Sequence, residues 1–172
     1  RSRLMLDQTV FDNVMLGTLR KLNLGFAANV LFRRTFRNEL DSMIERVAAL
    51  LRTFNPGIAG RLFEPLGAFT MIDRRRIEIC RALIGSPRLL LLDEPSAGMT
   101  HEETFRLMDD VVAARAQNPE LAIVLVEHEM NVIRRVSDRC VVLNFGRKIY
   151  EGDFEGLIAD REVQAAYLGQ AS

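Results

Sequence analysis

The chain has 172 residues, of which 48% are hydrophobic and 27% charged, and its 23 basic and 23 acidic side chains balance. This composition favours a folded domain over a disordered chain, and zero net charge gives no general electrostatic attraction to nucleic acid. The longest apolar run, residues 121–126, is far shorter than the roughly 20 residues that a membrane-spanning helix needs.

The first half of the chain has helical patterns. Thr9 and Asp12 form the pattern of a capping box, which marks the start of a short helix. Apolar residues at three- and four-residue steps predict a longer helix over about 27–52, which the turn signals after residue 54 end. The same spacing predicts a further helix over 74–84.

The second half alternates strands with helices. Three apolar runs predict strands, the first two of them buried: residues 89–92, 121–126 and 140–145. Thr100 and Glu103 form the pattern of a second capping box, at the start of the helix between the first two strands. Two short helices, over about 154–159 and 162–168, complete the chain. The alternation predicts βαβ units and a parallel sheet, and the two cysteines, without metal-type spacing, are expected to be buried thiols.

Two adjacent carboxylates, Asp93 and Glu94, follow the first strand. Open α/β sheets bind their ligands at the carboxyl ends of the strands, and acids placed there need a partner because burying an unpaired charge is costly. Magnesium prefers one or two carboxylates together with phosphate and water. The pair indicates a site in which Asp93 holds Mg²⁺ through its water shell and Glu94 takes a proton from an attacking water. A solvated acidic turn is the alternative.

Four segments resemble, in order, motifs of the ATPases of ABC transporters. They are residues 89–95 (Walker B motif), Ser96-Ala97-Gly98-Met99 (D-loop), Val126-Glu127-His128-Glu129 (switch-histidine segment) and residues 142–152 (the hairpin that follows). The resemblance implies ATP and Mg²⁺ as cofactors, Glu94 as the catalytic base and His128 as a contact to the γ-phosphate and the attacking water. A histidine that only makes structural hydrogen bonds is the alternative for His128. His101 lacks this context and is expected to be solvated.

The resemblance covers about residues 9–169 and implies an α/β fold, a P-loop NTPase of ABC type that is incomplete. It combines a helical subdomain with the C-terminal part of a parallel-sheet core. The implied domains are 1–8, a remnant of the preceding core; 9–85, the helical subdomain with a degenerate signature; and 86–172, the C-terminal half of the ATPase core. The implied nucleotide contacts are Asp93, which also binds the metal, Ser96, Gly98 and Thr70.

The opening segment 9–17 and the tail 163–169 resemble ATPases that serve branched-chain amino-acid uptake. This resemblance implies an ATP-hydrolysing importer subunit on the cytoplasmic face of the cell membrane. Its partners would be transmembrane permease subunits and a second ABC ATPase subunit, without nucleic acid. One alternative is a non-catalytic dimerisation partner of an active ABC ATPase. Another is a non-transport ATPase of DNA repair or translation, against which the helical insertion and the tail both argue.

One departure from the family pattern is the phosphate-binding loop. The chain contains no G-x-x-x-x-G-K-[ST] sequence, and neither Lys21 nor Lys148 follows a glycine. Since the chain starts at Arg1 and not at Met, the simplest interpretation is the C-terminal part of a longer protein whose isolated form is inactive. A dedicated truncated protein is the alternative.

The other departure lies in the Leu-Ser-x-Gly-Gln signature, which corresponds to residues 69–73. Thr70 can supply the hydroxyl, but Ile72 replaces the glycine and Asp73 the glutamine. A β-branched side chain obstructs the approach of backbone to phosphate, and a carboxylate repels a triphosphate. In the family, ATP lies between the Walker motifs of one subunit and the signature of its partner. The sequence therefore predicts an asymmetric heterodimer with one competent site.

Overall fold

The computed structural model describes residues 4–18 and 33–168. The first part of the helix predicted over 27–52 and Gly169 of the predicted tail lie outside the described residues. The chain divides into two compact units, Arg1–Leu125 and Val126–Ser172. The three domains implied by the resemblance stay a prediction.

The first unit contains most of the described helical residues. Its helices are α1 (Val10–Met15), α2 (Arg33–Phe54), α3 (Pro56–Ala59), α4 (Met71–Leu83) and α5 (His101–Ala116), with short 3₁₀ turns at Leu16–Thr18 and Leu66–Ala68. Both predicted capping boxes are present. In each, the threonine side chain accepts the N–H of the acid three residues on, and the acid accepts the threonine N–H.

Helix α4 begins three residues earlier than the apolar spacing predicts. Thr70 is its N-cap, and the Thr70 side chain accepts the Asp73 N–H at 3.3 Å. A threonine at this position satisfies one of the N–H groups that the first turn of a helix leaves without a partner. This local signal outweighs the polar composition of residues 73–76.

The core of the first unit lies where α4 packs against α1 and α2, and α2 packs against α5. Its members are apolar side chains that face one another from these helices, among them Val10, Val14, Leu51, Ile77, Leu107 and Met108, all with no solvent exposure. Burying each such side chain contributes about 1.5–3 kcal/mol. The core therefore fixes α4 and α5, the helices on either side of the acid pair in sequence.

Strands β1 (Leu89–Asp93) and β2 (Ala122–Val126) pair in a two-stranded sheet. The N–H of Ala122, the first residue of β2, donates at 2.9 Å to the carbonyl of Arg88, the residue before β1, so the strands run parallel, as predicted. The prediction that both strands are buried is wrong for part of each strand, because Leu91 is 67% exposed and Val124 is 51% exposed. An apolar run predicts burial on two faces, whereas the described part of the chain covers only one face of β1.

The second unit contains α6 (Met130–Val136), β3 (Cys140–Asn144), β4 (Arg147–Gly152), α7 (Phe154–Ala159) and α8 (Arg161–Leu168). Strands β3 and β4 form an antiparallel hairpin, with Cys140 opposite Gly152. The small core of this unit contains Cys140, Leu157 and Val163. Both cysteines are buried and free, as predicted. Within the described ranges, no helix combines the length and the apolar character that crossing a bilayer requires.

Candidate functional site

The acid pair lies at the carboxyl end of β1. Asp93 is the last residue of the strand, and the side chains of both Asp93 and Glu94 are exposed. Leu90 and Leu92, which alternate with the exposed residues, anchor the strand in the core. Asp93 lines an open cavity of about 540 Å³ between β1, α4 and the 3₁₀ turn after α1. The carboxylates are therefore accessible to a ligand while the strand behind them is fixed.

Glu94 has a left-handed backbone conformation, with φ of 42°. For a residue with a Cβ this conformation costs about 1–2 kcal/mol, and such residues concentrate at functional sites. The following turn maintains the conformation, since the Ala97 N–H donates to the Glu94 carbonyl at 3.1 Å and the Met99 N–H donates to the Ser96 carbonyl at 3.0 Å. No sequence signal indicates this conformation.

The turn continues through Ser96 and Gly98 to α5. Ser96 is buried, and Gly98 has φ of 80°, a conformation that favours glycine. Met71, the first residue of α4, lies beside this glycine: a Cβ on Gly98 would be 3.1 Å from Met71 Cε. The structure thus brings the segment after the acid pair and the start of α4 together in one unit.

The predicted phosphate-contacting residue Thr70 serves as the N-cap of α4. Its hydroxyl donates to Asp73 Oδ2 at 2.9 Å. Ile72, predicted to obstruct phosphate, has its side chain buried in the core, whereas the neighbouring Met71 is half-exposed. The obstruction of phosphate by Ile72 stays a prediction.

Asp73 belongs to a polar network that joins three helical segments. Its Oδ1 accepts from Asn55 Nδ2 at 3.0 Å and from Arg76 Nη1 at 3.1 Å. Arg76 Nε in turn donates to Asp110 Oδ2 on α5 at 2.7 Å. Burial raises the pKa of Asp110, and the bond to Arg76 opposes that rise. Sequence reasoning missed this network because its hydrogen-bonded partners are up to 34 positions apart.

His128 belongs to the second unit. It follows the last residue of β2 by two positions, its side chain is exposed, and the next residue, Glu129, is the N-cap of α6. His101, expected to be solvated, is exposed at the first position of α5, and its ring lies 4.9 Å from that of Phe105.

The chain shares its fold with solved ATP-binding cassettes of ABC transporters. The crystal structure of the ADP conformation of MJ1267, an ATP-binding cassette of an ABC transporter, matches it with a TM-score of 0.73 at 20% identity. The match covers 95% of this chain and 63% of that one.

Two curated proteins are similar to this chain over almost its whole length. The high-affinity branched-chain amino acid transport ATP-binding protein LivG of Escherichia coli K12 is 31% identical over 169 residues, covering 98% of this chain and 65% of LivG. The corresponding protein BraF of Pseudomonas aeruginosa is 32% identical over 170 residues, with the same shares. No protein-family model matches the chain. The resemblance to the ATP-binding proteins of branched-chain amino-acid ABC transporters is confirmed over 98% of this chain. The chain spans 65% of the length of these curated relatives.

Proposed function

We propose that this chain is part of an ATP-hydrolysing subunit of an ABC importer for branched-chain amino acids. The observation that carries the proposal is the exposed Asp93–Glu94 pair at the end of β1, with Glu94 in a strained backbone conformation. The likeness to LivG and BraF supports the substrate class.

The residues present fit a magnesium–nucleotide complex. Among residues 4–18 and 33–168, no group of three or more His, Cys, Asp or Glu side chains could hold a metal alone. A single exposed carboxylate suits Mg²⁺, which takes its remaining ligands from phosphate and water. Asp93 would hold the ion, and the bound ion would neutralise charge on the phosphates.

Glu94 is proposed as the general base. Its exposed carboxylate accepts the proton of the water that attacks the γ-phosphate, and the left-handed backbone fixes where the carboxylate lies relative to β1. His128 stays a proposed catalytic residue on the resemblance alone, since a neutral imidazole could donate a hydrogen bond to a phosphate oxygen. Ser96, Gly98 and Thr70 remain proposed nucleotide contacts.

We also propose that the first unit contacts a transmembrane permease through an apolar surface. The rings of Phe11 and Phe63 lie 5.8 Å apart, and Phe63 is 63% exposed. Met5 and Leu6 are also exposed. Rings and aliphatic side chains of this kind suit an apolar partner surface. The complete subunit would then lie on the cytoplasmic face of the membrane and pair with a second ATPase subunit.

The test is ATP turnover by the complete protein that the gene encodes, assembled with its permease. Glu94→Gln keeps the size of the side chain and removes the base, so turnover is expected to fall by about 10²–10⁴. Glu103→Gln is the matched control, since Glu103 caps α5 through Thr100, and its turnover is expected to stay at the parent level. Equal turnover of the parent and Glu94→Gln would overturn the assigned base.

The second candidate function is a non-catalytic dimerisation partner of an active ABC ATPase. The enclosure of Asp73 within the network at the start of α4 favours it. In this case the complete protein shows no turnover of its own and raises the turnover of a second ABC ATPase. The Glu94→Gln variant would then raise the turnover of the second ATPase as much as the parent does.

A further inference from the structure

Two methionine side chains are exposed to solvent among residues 4–18 and 33–168. Met71, the first residue of α4, is 51% exposed, and Met5, near the start of the chain, is 43% exposed. Met108, in contrast, lies in the core of the first unit with no exposure. Because a peroxide must reach the sulfur atom in order to oxidise it, Met71 and Met5 are the methionines most open to oxidation.

The thioether of Met71 lies against the turn that follows the acid pair. Met71 Cε is 3.1 Å, and Met71 Sδ is 3.9 Å, from the position of a Cβ on Gly98. Gly98 has φ of 80° and follows Ala97, whose N–H donates to the Glu94 carbonyl. The Met71 side chain is therefore open to solvent and at the same time packs its apolar end against this turn.

Oxidation changes both the shape and the polarity of this contact. A lone pair of the thioether sulfur attacks one oxygen of hydrogen peroxide, the O–O bond breaks and an S–O bond forms. The departing hydroxide takes up the proton of the transferred oxygen, so the sulfur is oxidised to a sulfoxide and the peroxide is reduced to water. The sulfoxide is polar and carries an extra oxygen atom, so it packs poorly where the apolar thioether packs against a glycine.

We propose that Met71 is a site of oxidation by peroxides, and that its sulfoxide displaces the turn between Glu94 and Gly98. The hydrogen bond from the Ala97 N–H holds the strained backbone of Glu94, so displacement of the turn also moves the Glu94 carboxylate. Reductases convert methionine sulfoxide back to methionine, which makes the change reversible. A loss of turnover on oxidation rests on the proposed function, in which Glu94 is the base, whereas the displacement of the turn does not.

The test treats the folded 172-residue chain with hydrogen peroxide and identifies the oxidised residues by mass spectrometry of its peptides. Met71 and Met5 are expected to gain an oxygen atom well before Met108. Once Met71 is oxidised, the Tm of the parent is expected to fall by about 2–8 °C. Met5→Leu is the matched control, and its Tm is expected to fall as much as that of the parent. The Tm of Met71→Leu, which has no sulfur at this position, is expected to stay unchanged by peroxide.

Three results would overturn the inference: oxidation of Met71 no faster than that of Met108, an unchanged Tm when Met71 is oxidised, or an equal fall of the Tm in Met71→Leu. If Met71→Leu does not fold, untreated Met71→Gln carries a polar side chain similar to the sulfoxide. Its Tm is expected to match that of the oxidised parent, and a Tm equal to that of the untreated parent would contradict the effect on the turn. No turnover enters this experiment, so its failure is distinguishable from failure of the Glu94→Gln test.

Discussion

Met71 at the start of α4 lies against Gly98 in the turn that follows the acid pair, with Met71 Cε 3.1 Å from the position of a Cβ on Gly98. The two residues are 27 positions apart in the chain, and each begins or precedes a helix of the first unit. The conformation of the turn after Glu94 therefore depends on the position of Met71, the first residue of α4. A side chain at residue 98 would disturb both.

Gly98→Ala is expected to destabilise the chain by about 1–3 kcal/mol, from the positive φ and from the contact with Met71. Gly146→Ala is the matched control, because Gly146 has φ of 76° and nothing within 4 Å of its Cβ position. The free energies of unfolding of both variants in urea separate the cost of the positive φ from the cost of the contact with Met71. Equal losses of unfolding free energy would show that the Met71 contact has no effect.

Gly17→Ala is expected to destabilise the first unit by about 1–3 kcal/mol. Its Cβ would lie 1.9 Å from the Arg81 carbonyl oxygen and 2.7 Å from Ile84 Cγ2, so the end of α4 would have to move. Gly60→Ala is the control, since the nearest atom to its Cβ position is 3.9 Å away. Urea midpoints measure both changes, and a Gly17→Ala midpoint equal to that of Gly60→Ala would contradict the close approach.

Thr104→Val is expected to stabilise the chain by about 1 kcal/mol. The Thr104 hydroxyl is fully buried on α5 without a hydrogen-bond partner, and valine removes that unsatisfied group at nearly constant shape. Thr18→Val is expected to destabilise the chain by about 1 kcal/mol. The buried Thr18 hydroxyl donates to the Met15 carbonyl at 2.7 Å, and valine removes this hydrogen bond. Thermal melts compare the two, and a loss of stability in both variants would refute the expectation for Thr104.

Asp110 is expected to make the stability of the chain fall as pH rises. Burial raises its pKa above the unfolded value of about 3.9, so the folded state favours the protonated acid. This contribution is fully present below the unfolded pKa and is lost as pH rises through the folded pKa. Asp110→Asn resembles the protonated form and lacks the dependence.

The measurement is urea unfolding of the parent and of Asp110→Asn from pH 4 to pH 7. The unfolding free energy of the variant is expected to gain on that of the parent as pH rises. If the parent gained on the variant instead, the ion pair with Arg76 would outweigh burial of the acid.

The features that the sequence predicts well are local ones. The capping boxes at Thr9 and Thr100 each lie within four consecutive residues, and both are present. Thr70 carries the same signal, but the apolar spacing of α4 begins only at Ile77, which placed the predicted start too late. The apolar run of β1 does not by itself indicate the exposed side of the strand, because such a run does not show which faces the rest of the chain covers.

The candidate site shows the same division. The carboxylates at Asp93 and Glu94 follow from their position after an apolar strand, and their proposed roles remain to be tested. The left-handed backbone of Glu94 depends on the turn that follows it, and the enclosure of Asp73 depends on Asn55 and Arg76. Contacts between residues 18 apart, such as Asn55 and Asp73, leave no periodic trace in the sequence.

The backbone conformation of Glu94 lowers the stability of the fold at the residue that is proposed to be needed for ATP turnover. Glycine adopts φ of 42° without strain, so Glu94→Gly would make the chain more stable by up to about 1 kcal/mol while deleting the proposed base. Selection for thermal stability alone would therefore favour Glu94→Gly, and the selected protein would lack the proposed base. Selection for the proposed ATP turnover would oppose that substitution.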